Sequence, residues 1–367
     1  MAGQAVTEAD VMRALSTVRD PDLGRDLVSL GMIENLSIEG DVVSFTVVLT
    51  TPACPLRGRI ESDCRRAVSA LPGVRAVNIK MDARVVQGRG QQGKQGIPGV
   101  RNVIAVASGK GGVGKTTVSV NLALALADSG ARVGVLDADI TGPNVPLMIG
   151  ARGEPRAQNN KIEPLVAYGV KVISIAFFIP EGTPVIWRGP MVGGAIQQFL
   201  HDVIWGELDY LVVDLPPGTG DASISLAQLI PLSGVVIVST PQDVALMDAQ
   251  KSLAMFQKLA APILGIVENM SYFICPHCQE RVDIFGHGGA ERAAERLGVP
   301  FLGRIPLNPA IRAGGDEGVP ILRRDPTSPE AAAFREVAER VAARISVVAL
   351  GPTGKRPTWV PLPVVRS

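Results

Sequence analysis

The sequence predicts an α/β fold, a mostly parallel twisted sheet flanked by helices, preceded by a small α+β domain. Three observations carry that expectation. From residue 100 onward, short and almost continuously apolar runs alternate with segments of helical periodicity, as strands covered on both faces and joined by crossover helices must do. The first of these runs opens onto a glycine-rich loop and then an alanine-rich helix. A stretch rich in glycine and glutamine, residues 87–99, sets this region apart from an N-terminal part with different patterning.

In the N-terminal part, Thr7-Glu8-Ala9-Asp10 reads as a capping box, and Val11, Met12, Leu15 and Val18 lie along one helical face. Residues 32–38 and 42–50 read as strands separated by the turn signal Glu39-Gly40-Asp41. A helix over about 56–70 and a strand over about 74–81 follow, punctuated by Leu71-Pro72-Gly73. Residues 1–86 therefore form the small domain, and 87–99, with few apolar side chains, form a flexible linker. In the large domain, 100–350, strands are expected at 102–107, 132–137, 170–175, 209–214, 234–239, 263–267 and 300–305. Residues 330–347 read as a terminal helix with Phe334, Val337, Ala338, Val341 and Ile345 on one face. The tail, 351–367, carries Pro352, Pro357, Pro361 and Pro363 and is expected to be extended and loosely held.

A chain of 367 residues with 46% hydrophobic and 19% charged residues can bury a substantial core in two domains of unequal size. A net charge of +1 argues against bulk attachment to nucleic acid or to an anionic membrane, and neither is expected as a partner. No apolar run approaches the roughly eighteen residues a membrane span needs. The N-terminus lacks the basic region and apolar core of a secretory signal, and four cysteines in so long a chain do not make a disulfide framework. The expected home is a reducing cytoplasm.

Ser108-Gly109-Lys110-Gly111-Gly112-Val113-Gly114-Lys115-Thr116-Thr117 has the spacing of a phosphate-binding P-loop in the required context, strand before and helix after. The glycines let successive backbone N–H groups curl inward onto phosphate oxygens, and the helix adds the positive end of its dipole. Lys115 is expected on the β- and γ-phosphates and the Thr116 hydroxyl on Mg²⁺. Two aspartates, Asp137 and Asp139, end the second strand of the large domain, and Asp214 ends the apolar run Tyr210-Leu211-Val212-Val213; carboxylates at that edge of a parallel sheet face the ligand crevice. Cys275-Pro276-His277-Cys278 places two thiolates about one turn apart, suited to one metal centre. Two ligands do not complete a tetrahedral site, but two such pairs converging across a two-fold axis supply four thiolates, which suit either Zn²⁺ or a [4Fe–4S] cluster. An intrachain zinc knuckle using His277 or His287, and a redox dithiol, are the other readings of this motif. His201 lies outside both motifs and is expected to be structural.

The pair Lys110 and Lys115 resembles the deviant P-loop of the MinD/ParA group of ATPases, in which the first lysine reaches the nucleotide of a partner chain; the resemblance implies a homodimer. It also implies ATP as the nucleotide, Asp139 orienting the attacking water, Asp137 and Asp214 supporting Mg²⁺, and Asn269 reading adenine. The wording Pro216-Pro217-Gly218-Thr219-Gly220-Asp221, together with Cys275 and Cys278, resembles the Mrp-type (ApbC/Nbp35-like) branch. That resemblance, over roughly residues 100–347, implies a carrier that holds a [4Fe–4S] cluster between protomers, receives it from scaffold donors and releases it to apoproteins. Asp20-Pro21-Asp22, Ser29-Leu30-Gly31-Met32 and Thr51-Pro52-Ala53-Cys54-Pro55 resemble a small domain of other iron–sulfur assembly proteins. Cys54, just before a helix, reads either as a structural cysteine or as a thiol of lowered pKa that serves as a transient ligand, whereas Cys64 carries no motif. The alternative function is a partition or MinD-type spatial-organisation ATPase with a structural zinc knuckle. That class needs a basic amphipathic terminus or a DNA-binding surface, while the terminal helix mixes Glu330, Glu336 and Glu339 with Arg335, Arg340 and Arg344.

Overall fold

A computed structural model describes residues 6–88, 94–179 and 189–351. In chain order the strands are β1 (Ile33–Glu39), β2 (Val42–Leu49), β3 (Ala76–Ala83), β4 (Val100–Ser108), β5 (Val133–Asp137), β6 (Arg156–Gln158), β7 (Lys161–Glu163), β8 (Leu165–Ala167), β9 (Val170–Ser174), β10 (Leu208–Asp214), β11 (Gly234–Ser239), β12 (Ile263–Glu268), β13 (Phe273–Ile274), β14 (Arg281–Val282) and β15 (Phe301–Arg304). The helices are α1 (Glu8–Leu15), α2 (Arg57–Ser69), α3 (Lys115–Asp128), α4 (Val145–Ile149), α5 (Gly189–His201), α6 (Asp221–Leu229), α7 (Asp243–Lys258), α8 (Gly289–Leu297), α9 (Pro309–Glu317), α10 (Ile321–Arg324) and α11 (Pro329–Leu350).

The small domain is a three-stranded sheet, β1-β2-β3, with β1 antiparallel and β3 parallel to β2; α2 makes the crossover the parallel pair requires. The capping box closes at α1: Asp10 N–H donates to Thr7 Oγ1 (3.3 Å) and Thr7 N–H to Asp10 Oδ2 (3.2 Å). Alternate residues of β2, Val43, Phe45 and Val47, meet Val11, Leu15, Ile60 and Val68 in one buried cluster.

The large domain carries eight strands in the order β15-β12-β11-β4-β10-β5-β9-β8, all parallel except the edge strand β8. The strands β5, β10 and β11 are buried at every position, because helices cover both faces. On one face α3 packs under α11, through Phe334, Val337, Val341 and Ile345; the other face is closed by α5, α6, α7 and α8. Hence α3, the apolar, alanine-rich helix, is buried over almost its whole length. Every strand expected from the apolar runs is present. The short strands β6, β7, β8, β13 and β14 are additional, and at two or three residues each they are too brief to show a period. Because β4 has β10 on one side and β11 on the other, the chain reverses direction across the sheet there, and the crevice opens beyond the C-terminal end of β4.

The small domain rests on the large one. Ala53 and Val85 join the core under α3, and Tyr210, wholly buried on β10, donates its hydroxyl to Thr51 Oγ1 (3.1 Å). At the described ends of the glycine-rich stretch, Gly88 N–H donates to Asn102 Oδ1 (2.8 Å), and Lys94 Nζ donates to the carbonyls of Ala227 and Ile230 (2.9 Å each). Residues 89–93 of that stretch, and 352–367 of the proline-rich tail, lie outside the described residues. Among the described residues no helix is long and apolar enough to cross a membrane.

Candidate functional site: a nucleotide pocket and a cysteine hairpin

The strand β4 ends at Ser108, and the loop runs from Gly109 to Gly114 before α3 begins at Lys115. Gly112 (φ 80°) and Gly114 (φ 83°) adopt left-handed conformations open chiefly to glycine, which bend the backbone around its own N–H groups. Close approach also fixes two glycines: a Cβ on Gly109 would lie 2.2 Å from the Asp248 backbone of α7, and one on Gly114 would lie 2.1 Å from Asn269 Nδ2. Gly111 and Gly112 face open space, so the cradle has room for phosphate. Ser108 Oγ donates to the Lys110 carbonyl (3.0 Å) and sets the loop's entry.

Side chains of β5, β10 and α3 converge below the loop. Asp214 is fully buried; its Oδ2 accepts from Lys115 Nζ (2.7 Å) and Thr116 Oγ1 (2.8 Å), and its Oδ1 from Ser119 Oγ (2.6 Å). Lys115 Nζ lies 3.8 Å from Asp139 Oδ2, and Thr141 Oγ1 donates to Asp139 Oδ1 (3.0 Å). The parallel register pairs Asp137 with Asp214 across β5 and β10. Asp137 accepts from Ser174 Oγ (3.0 Å) and from the N–H groups of Asp139 and Val145 (3.2 Å each). Burial, with the charge on Asp214 next, pushes the Asp137 carboxyl up; burial also raises Asp139 against the pull of Lys115. Asp214 and the Thr116 hydroxyl thus put hard oxygen donors beside the loop, of the kind Mg²⁺ takes together with phosphate oxygens, with Asp137 paired to Asp214 across the strands and Asp139 beside Lys115.

Lys110 is half-buried and stands apart from the Lys115–Asp214–Asp139 cluster. Asn269, at the end of β12, donates Nδ2 to the Val113 carbonyl (2.8 Å) and its N–H to the Ser239 carbonyl (2.8 Å), which places its amide on the P-loop itself. Sequence reasoning missed Ser119, Ser174 and Thr141, which hold the three aspartates. A hydroxyl four residues beyond Lys115 in an otherwise apolar helix was the available signal for Ser119; Ser174 is reached only through the β5–β9 pairing.

Cys275 and Cys278 lie on the loop joining β13 to β14. The loop is closed by Cys275 N–H on the Glu280 carbonyl and Gln279 N–H on the Cys275 carbonyl (2.9 Å each), with Gln279 in the left-handed region (φ 61°). Cys275 is half-buried and Cys278 exposed. Backbone N–H groups of Cys278 and His277 point at the Cys275 sulfur, and with the Cys278 side chain they hold its thiol below the usual range. Among the described residues no three His, Cys, Asp or Glu side chains gather closely enough to hold a metal ion. Arg281 Nη2 donates to His287 Nδ1 (2.6 Å), and His277 is exposed. Among the described residues, the hairpin therefore presents two thiols and no third ligand.

The surroundings of Cys54 oppose a lowered pKa. Burial pushes its thiol up, and Asp20, Asp22 and Glu339 add to the shift, so the neighbouring Leu56 N–H is outweighed. The helix α2 begins only at Arg57, and Cys54 packs against the core of the small domain rather than sitting on a helix end. Cys64, buried in α2, is pushed up to about 12.

A family model described as an NUBPL iron-transfer P-loop NTPase matches residues 99–342, and one described as an iron–sulfur cluster assembly protein matches residues 8–81. The iron–sulfur cluster carrier protein of Synechocystis sp. is 50% identical, over 94% of this chain and 99% of its own length. The iron–sulfur cluster transfer protein NUBPL of Mus musculus is 48% identical, over 79% of this chain and 91% of its own. Among solved structures, a nucleotide-binding protein from Archaeoglobus fulgidus in complex with ADP is 41% identical; the match covers 61% of this chain and 88% of that one, with a TM-score of 0.55.

Proposed function

The chain belongs to the NUBPL-type family of iron-transfer P-loop NTPases, and from that premise we propose that it carries a [4Fe–4S] cluster bridged by Cys275 and Cys278 of two protomers and delivers it to apoproteins under the control of ATP. The observation that carries this reading is the hairpin: two adjacent, accessible thiols, one of them acidified, with no third ligand gathered at them among the described residues. A second copy completes the set, and four thiolates suit a [4Fe–4S] cluster. The cluster is cargo, so a site open at the surface is what loading from a scaffold donor and release to an acceptor require.

ATP and Mg²⁺ fit the pocket by its open cradle and its hard oxygen donors. Mg²⁺, when bound, neutralises charge on the phosphates. Lys115 exchanges its ion pair with Asp214 for the β- and γ-phosphates, which leaves Asp214 and the Thr116 hydroxyl to the metal, with Asp137 behind them. Asp139, whose carboxyl faces Lys115, aims the attacking water, and positioning of that kind is what phosphoryl transfer asks of a protein. Lys110, outside the cluster of its own chain, reaches the partner's nucleotide. Asn269 lies close enough to the loop to read the base.

The test is transfer. Protein reconstituted anaerobically with iron and sulfide should activate an apo-acceptor of a [4Fe–4S] cluster, while Cys275→Ala and Cys278→Ala should bind ATP as before and transfer nothing. Transfer by either variant at the unsubstituted rate contradicts the assignment.

A further inference from the structure

We propose that Glu268 is the positioning residue that couples the nucleotide pocket to the cysteine hairpin. The proposal rests on the reading that Cys275 and Cys278 hold the cargo, but its geometry stands in the empty protein.

Glu268 is wholly buried at the end of β12, with both carboxylate oxygens engaged. Oε1 accepts from Ser271 Oγ (2.5 Å) and Gly288 N–H (3.3 Å), and Oε2 accepts from Ala290 N–H (2.7 Å). Ser271 and Gly288 bracket the segment that contains β13, both cysteines and β14, so one carboxylate holds both roots of the hairpin. The neighbouring residue, Asn269, has its amide on the P-loop carbonyl of Val113, against Gly114, where a Cβ would collide with it. Met270, at φ 54°, turns the chain sharply between Asn269 and Ser271. One peptide bond therefore separates a group that touches the phosphate loop from a group that holds the cysteine loop. A nucleotide that draws the loop onto its phosphates, or the Asn269 amide onto its base, moves Asn269 relative to Val113. Glu268 moves with it, and its three hydrogen bonds pass the displacement to both ends of the hairpin. Arg304 Nε, 3.9 Å from Oε1 and buried without a hydrogen-bond partner, marks the far wall of the carboxylate's site.

A purely structural carboxylate, one that only caps α8, predicts a different behaviour, and the two separate in protein free of iron. The alkylation rates of Cys275 and Cys278 by iodoacetamide are measured by mass spectrometry without nucleotide, with ADP and with a non-hydrolysable ATP analogue. Nucleotide should change the rates in the unsubstituted protein by about fivefold or more. Glu268→Gln keeps the volume but turns an N–H₂ toward the backbone donors; it should bring that ratio close to one while nucleotide affinity stays within about twofold. Ser271→Ala removes only one hydroxyl and should give an intermediate ratio; it carries the test should Glu268→Gln fail to fold. A full ratio in either folded variant, thiols that ignore nucleotide in the unsubstituted protein, or a parallel loss of nucleotide affinity overturns the proposal. A failed cluster assignment leaves this measurement standing, because no cluster enters it.

Discussion

Lys115 is the cation on which the pocket turns. Its ammonium is nearly buried between Asp214 and Asp139, and such a charge is held in place only because it is paired. On the proposed function Lys115→Ala removes the phosphate clamp, while Asp214 keeps its bonds to Thr116 and Ser119. The variant should fold and release no phosphate from ATP. Lys110→Ala leaves the chain's own cradle intact, so nucleotide titration should show binding largely retained while phosphate release falls. Equal loss of binding in both variants contradicts the cross-subunit role of Lys110. The thiols differ just as sharply. Cys275 is accessible and acidified, Cys54 is shifted up by burial and three carboxylates, and Cys64 is buried with its thiol at about 12. At neutral pH Cys275 should therefore be alkylated at least about tenfold faster than Cys54 or Cys64, as peptide mapping of partly modified protein can show.

At the scale of elements, α11 holds one face of the sheet through α3. Phe334 has no exposed surface and packs among the aliphatic side chains of that face. Phe334→Ala should cost about 3–5 kcal/mol, read as a lowered denaturant midpoint. The helices and long strands were legible because their periods extend over enough residues: the face of Phe334, Val337, Ala338, Val341 and Ile345 identified α11, and continuous apolar runs identified β4, β5 and β10. The P-loop was legible because its chemistry is local, ten consecutive residues with their flanking strand and helix. The ribbon β13–β14 was not, since two residues show no period, and the β6–β7 hairpin is polar. Of the two readings of Cys54, the lowered pKa fails for a physical reason. Its position before α2 suggested that shift, but burial against the small domain's core, invisible to local spacing, acts in the opposite direction.

At the scale of the whole molecule, what sequence could not supply is which distant segments meet. The spacing of Asp137, Asp139 and Asp214 suggested a shared crevice, but that Ser174 and Ser119 would hold them depends on the strand order β10-β5-β9 and on α3 packing over it. The same is true of Tyr210 reaching Thr51 across the two domains and of Glu268 reaching both roots of the hairpin. The cysteine pair poses the whole-molecule question most directly, because the hairpin presents two thiols where a cluster needs four. Iron and zinc counted per chain in the anaerobically reconstituted protein, with its mass in solution, decide the matter. Two irons per chain in a dimer, about four per bridging cluster, lost together in Cys275→Ala and Cys278→Ala and retained in Cys54→Ala, is the result expected of a carrier. One tightly held zinc per monomer, resistant to iron, with a Cys275→Ala protein that no longer folds, would contradict it.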